Sequence, residues 1–137
     1  MAIALLAGGI VASFCPAVWS AAGSWVAELP RQVIAVSERP LESRPISAPD
    51  HVGGTIDRVS WSFQIEPRTQ AQAGPLRAWL CQASLCVPLA AAAGETARFA
   101  GRAADAPFRF RFQRPPAPGL SGSLVVSRGQ ITVNYRQ

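Results

Sequence analysis

Residues 58–65, RVSWSFQI, alternate along their whole length. Val59, Trp61, Phe63 and Ile65 are apolar, while Arg58, Ser60, Ser62 and Gln64 are polar. A period of two predicts a strand with one face in a core and the other in water. The pattern recurs in PFRFRFQ, with Phe108, Phe110 and Phe112 set against Arg109, Arg111 and Gln113. It recurs again in QITVNYR, with Ile131, Val133 and Tyr135 set against Thr132, Asn134 and Arg136. In PLRAWLCQ, Leu76, Ala78 and Leu80 fall on one side and Arg77, Trp79 and Cys81 on the other. SLVVS at 123–127 is a fifth run, and VAEL and QVIAVS near 26–37 are shorter candidates.

Turn signals separate these runs. SRGQ, with Gly129 free to take a positive φ, predicts a C-terminal hairpin over 123–136. EPRTQAQAGP and RPPAPGLSG read as connections. The proline-rich RPLESRPISAPDH reads as an extended loop or an edge segment. LAAAAGETA predicts about one helical turn ended by Gly94. Strands that are apolar on one face only are antiparallel in character. The expected fold is therefore all-β: a small antiparallel β-sandwich or open barrel, occupying residues 23–137 as one domain. Twelve prolines and eleven glycines agree with short strands and frequent turns rather than long helices.

The start of the chain has a different character. Residues 1–22 carry no charged side chain and are apolar or small nearly throughout. They read as a cleavable signal peptide, with Ser20 and Ala22 as the small residues before a mature start near Gly23. A permanent membrane anchor fits less well, because the apolar stretch is short and no basic flank follows it. A lipid attachment at Cys15 is disfavoured by bulky Phe14. Loss of this leader removes Cys15 and leaves Cys81 and Cys86, an even number in an exported chain.

Those two cysteines are not a zinc site, which needs about four ligands. The single histidine, His51, is remote in sequence, and the mature chain has no second cysteine pair. Their four-residue spacer is also not the C-x-x-C of a thioredoxin-type redox centre. A disulfide that locks a hairpin is the preferred reading, in which Cys81 ends one strand, Cys86 starts the next and QASL turns between them.

The net charge of +5 comes entirely from arginine, with no lysine in the chain. FRFRF suggests nucleic acid, but on a strand its arginines and phenylalanines point to opposite faces. Stacking platforms need aromatics and cations together, so nucleic acid is not expected as a partner. Arg109 and Arg111 could instead form a basic stripe for an acidic partner. Arg77 and Trp79 complete the candidate partner surface. His51 with Asp50 and Asp57 does not build a catalytic set, since no G-x-S-x-G elbow occurs. Glu66, Glu95 and Asp105 show no pairing pattern. No phosphate loop, calcium loop, cofactor site or metal site is apparent.

Three stretches resemble a known family, the exported flagellar FlhE proteins. PLRAWLCQASLCVPL matches through Leu76, Arg77, Leu80, Cys81, Cys86, Val87 and Leu89. GETARFAGRAADAPFRF matches through Gly94, Thr96, Phe99, Gly101, Ala103, Ala104, Pro107, Arg109 and Phe110. ITVNYR matches through Val133, Asn134, Tyr135 and Arg136, and a leader ending in AAG shortly before Trp25 also fits. The resemblance covers residue 56 to the end well and 26–55 thinly. The uncharged leader, the proline-rich 39–49 segment and the RPPAPG turn depart from the family. The resemblance implies a periplasmic, non-enzymatic, mostly β protein that supports orderly flagellum assembly. It further implies a chaperone- or plug-like factor limiting proton leakage through the flagellar type III export apparatus. Basal-body or export-gate proteins would be its partners, with no stable membrane insertion after leader cleavage. The alternative is a periplasmic carbohydrate-, peptidoglycan- or protein-binding sandwich unrelated to export, for which Trp79 is the aromatic candidate.

Overall fold

The computed structural model describes residues 22–70, 75–120 and 122–137, with Ser13 alone from the preceding segment. The expected signal peptide and Cys15 lie outside the described residues. The elements are β1 (Ala22–Leu29), β2 (Gln32–Ala35), β3 (Leu41–Glu42), β4 (Thr55–Ile65), one helical turn α1 (Pro67–Gln70), β5 (Arg77–Gln82), β6 (Leu85–Pro88), β7 (Ala93–Thr96), β8 (Phe108–Gln113) and β9 (Ser123–Arg136). They form two antiparallel sheets that do not close into a barrel. The large sheet runs β1-β9-β4-β7, with β2 also paired to β9. The small sheet runs β3-β8-β5-β6. The chain crosses between the sheets after β2, where the Ser37 amide donates to the Arg114 carbonyl at 3.1 Å.

The two inner faces are those the alternation predicted. Val59, Trp61, Phe63, Ile131, Val133 and Tyr135 are buried from the large sheet. Ala78, Leu80, Phe108, Phe110 and Phe112 meet them from the small one. The Phe63 ring stands edge-on to Phe112 at 5.6 Å and to Phe110 at 6.5 Å, which joins the layers through aromatic contact. Trp25 of β1 packs on Phe108 at 6.2 Å, and its Nε1–H donates to the Ala104 carbonyl at 2.9 Å. That bond ties the long connection between β7 and β8 to the first strand.

Two local expectations are corrected. Residues 123–136 are not a hairpin but one continuous strand, β9. Its C-terminal part pairs with β1 and its N-terminal part with β2, while both parts pair with β4. Ser62 faces Gln130 and Gln64 faces Ser127, so β9 carries one extra residue there. The turn signal is spent on a bulge rather than a reversal. Arg128, not Gly129, takes the positive φ of 51°. Gly129 is needed for a different reason: a Cβ there would lie 2.7 Å from the Leu29 side chain. Long β4 pairs with both halves on either side of the bulge, and that ladder outweighs the local turn preference.

LAAAAGETA is likewise not helical. Residues 90–92 bend and β7 adds to the edge of β4. The Phe63 amide donates to the Ala92 carbonyl at 2.8 Å, and Trp61 Nε1–H donates to the Ala91 carbonyl at 2.9 Å. Gly94 lies against the Trp61 ring, where a Cβ would come within 2.7 Å. A few alanines favour a helix only weakly, and these bonds to β4 decide the outcome. The one helical turn instead follows Glu66, with Pro67 at its first position, where a missing N–H costs nothing.

Trp25→Phe keeps an aromatic ring, though a smaller one, and leaves the Ala104 carbonyl without its indole donor. The expected loss is about 1–2 kcal/mol in urea unfolding. A change near zero would show that the bond does not hold β1 to the β7–β8 connection.

Candidate functional site

β5 and β6 form a tight hairpin. Gln82 still pairs with Leu85, so the loop is only Ala83 and Ser84, shorter than the QASL turn read from the sequence. Ala83 adopts φ 51° at its first position. The next pair outward is Cys81 with Cys86, and their sulfurs are bonded at 2.08 Å with Cα atoms 4.1 Å apart. The expected staple is present. Behind it, buried Gln82 donates from Nε2 to the Ala103 and Ala106 carbonyls at 2.9 and 3.3 Å. Arg102 Nε donates to Gln82 Oε1 at 2.9 Å. The hairpin is therefore pinned covalently on its outer side and by hydrogen bonds to the β7–β8 connection.

The ladder of the small sheet gathers the candidate partner residues onto one outer face. Trp79 lies opposite Arg111 on β8 and opposite Pro88 on β6. Arg109 lies opposite Cys81, and Arg77 lies opposite Gln113. Arg77 and Arg109 are exposed, Arg111 is intermediate, and Trp79 is half-buried rather than a protruding platform. Glu42, which the sequence analysis did not single out, joins them from the edge strand β3. Arg111 donates to Glu42 Oε1 from Nη2 at 2.7 Å and from Nε at 3.2 Å. Arg109 Nη1 stands 4.0 Å from Glu42 Oε2. Hydrogen bonding and charge from Arg111, with a smaller contribution from Arg109, hold the Glu42 carboxyl below its ordinary pKa. Arg77 engages no acid among the described residues.

The charge is unevenly shared between the layers. Strands of the small sheet carry Arg77, Arg109 and Arg111 against Glu42 alone. Strands of the large sheet carry three of each sign, with Arg58 paired to Glu95 and Arg136 paired to Asp57, both at 2.8 Å. A shallow cavity of about 190 Å³ lies at the disulfide end of the basic face, lined by Cys81, Ala83, Pro107 and Arg109.

The residues considered for catalysis are not brought together. His51 is exposed in a turn beside Asp50, and Asp57 is held by Arg136. Glu66 is bound by Arg31 through two bonds of 2.9 and 3.2 Å. Among the described residues, no three His, Cys, Asp or Glu side chains are placed to hold a metal ion. No helix among them is long and apolar enough to cross a membrane.

The family model for the flagellar protein FlhE matches residues 33–136. The chain belongs to the FlhE family. It is 35% identical over 96 residues to the flagellar protein FlhE of Escherichia coli strain K12, spanning 70% of this chain and 72% of that protein. It is 37% identical over 94 residues to the flagellar protein FlhE of Salmonella typhimurium strain LT2, spanning 69% of this chain and 70% of that protein. The crystal structure of FLHE superposes with a TM-score of 0.71 at 30% identity, covering 85% of this chain and 98% of that chain. This chain's disulfide hairpin and basic face lie within the residues that the family model matches.

Two outcomes test the face. In an NMR titration, Glu42 should protonate at a lower pH than a glutamate in a reference peptide, and Arg111→Gln should bring its midpoint back up. The folded pKa is lowered, so the pair's contribution is present above the unfolded value and is lost as pH falls through the folded one. An ordinary midpoint would mean that the pair does not persist in solution. Separately, Cys81→Ser with Cys86→Ser should cost about 2 kcal/mol in urea unfolding. An unchanged midpoint of unfolding would show that β5–β6 needs no staple.

Proposed function

We propose that this protein is an exported, periplasmic and non-enzymatic flagellar accessory factor. It acts by binding, in a chaperone- or plug-like manner, to basal-body or export-gate proteins. In that role it supports orderly flagellum assembly and limits proton leakage through the flagellar type III export apparatus. The observation that carries this reading is FlhE family membership across residues 33–136. The disulfide suits an oxidising compartment, in keeping with residues 1–22 acting as a leader and a mature domain starting near Gly23. Arg77, Trp79, Arg109 and Arg111 form the contact face.

Deleting the gene should lower cytoplasmic pH in cells building flagella and impair swimming, and the wild-type gene supplied in trans should restore both. The protein should be recovered from the periplasmic fraction, shortened by the leader. Normal proton homeostasis together with normal flagella in the deletion strain would overturn the proposal.

A further inference from the structure

Resting on the reading that the protein binds through the outer face of the small sheet, we infer that this face takes an extended acidic polypeptide segment. Glu42 is the intramolecular placeholder for one of that segment's carboxylates. The face already shows the recognition it would use, because the Arg111 fork and the nearby Arg109 converge on the Glu42 carboxylate. Arginine forks match carboxylates with geometric specificity. Of the three guanidinium groups on these strands, Arg109 and Arg111 share that single acid, and Arg77 engages none among the described residues. The face therefore offers more donors than the chain itself fills.

The placeholder is easily displaced. Glu42 sits on a strand of two residues at the sheet edge, flanked in sequence by Pro40 and Pro45. Its side chain and those of Arg109 and Arg111 are each roughly a third to a half exposed. Exposed pairs of this kind hold weakly. Arg109 and Arg111 occupy alternate positions of one strand, and alternate residues of an extended chain repeat at about 6.5–7 Å. Acids at every second position of an extended segment therefore match them in spacing. Half-buried Trp79, between Arg77 and Cys81 along β5 and opposite Pro88, supplies an apolar floor.

Other occupants fit less well. A second copy would bring a net charge of +5 against a basic face. A membrane surface would want protruding apolar groups, but Val26 and Val33 belong to the large sheet, and Leu41 pairs with inward-facing Phe112. Nucleic acid would want an exposed stacking ring, which half-buried Trp79 does not offer.

The test is fluorescence anisotropy at low salt, using purified protein and a short fluorescein-labelled peptide of alternating Glu and Ser. Arg111→Gln and Arg109→Gln should each weaken binding about tenfold, and Arg77→Gln should weaken it in the same direction. Glu42→Gln should tighten binding by about threefold or more, because the internal competitor is gone. Glu28→Gln makes the same change in net charge on the large sheet and should leave the affinity unchanged. The inference is overturned if Glu42→Gln does not tighten binding, or if Glu28→Gln matches it. It is also overturned if the arginine variants bind as the wild type does, or if phosphatidylglycerol vesicles rather than the peptide show the arginine dependence. Failure here leaves the cellular role standing on the deletion phenotype. The predicted peptide response beside a silent deletion would support the site and sink the flagellar role.

Discussion

The burial of three phenylalanines on one strand governs the rest of the structure. Phe108, Phe110 and Phe112 are fully buried along β8; Phe110 and Phe112 meet Phe63 from the opposite sheet, and Phe108 meets Trp25. Burying a phenylalanine contributes about 2 kcal/mol. A register slip of one residue would turn all three into water and drive Arg109 and Arg111 into the core. The core therefore fixes which way the arginines point, and the basic face is the reverse side of the aromatic packing. The same parity reaches one residue past the strand. Arg114 continues the inward series and is fully buried, with Nη1 donating to the Ile34 and Gly122 carbonyls at 3.3 and 3.0 Å. A guanidinium is tolerated at a core position when backbone carbonyls accept its protons. These bonds draw β2 and the start of β9 toward the end of β8.

Strand identity was legible where alternation ran for six residues or more, as in β4, β5, β8 and the C-terminal part of β9. What failed was the inference of connection from local turn chemistry. Arg128–Gly129 looks like a reversal, but a bulge uses the same residue types, and only the presence of a long partner decides between them. β4 is that partner, and its eleven residues are a tertiary fact that no window around Gly129 contains. β7 failed for the same reason. The alanines at 90–93 are too short a run to hold a helix by propensity alone, and the Trp61 ring and the β4 edge determine where they lie. Arg114 is not legible in this way, because a charged residue just past an alternating run gives no sign of a core position.

The candidate face was half legible. Parity on β5 and β8 placed Arg77, Trp79, Arg109 and Arg111 on outward positions, but it could not say that β5 and β8 are neighbours. That adjacency puts Arg111 beside Trp79. Glu42 was invisible, because a two-residue strand has no period to read. Its role follows from the crossing of the chain between the sheets, which lays β3 along β8 and turns an isolated glutamate into the counter-charge of two arginines.

The disulfide takes its meaning from the same geometry. Cys81 is two residues from Trp79 on the same outward side of β5, and Cys86 is two residues from Pro88 on β6. The covalent link fixes the β5–β6 register at its turn end, while Gln82 and Arg102 hold the hairpin from within. Trp79 and Pro88 are thereby set side by side before any partner arrives. A surface organised in advance loses less freedom on binding than one that must assemble around its ligand. Stability alone would be served by a link anywhere along the ladder. A link placed beside Trp79 and opposite Arg109 also steadies the part of the sheet on which the arginines stand.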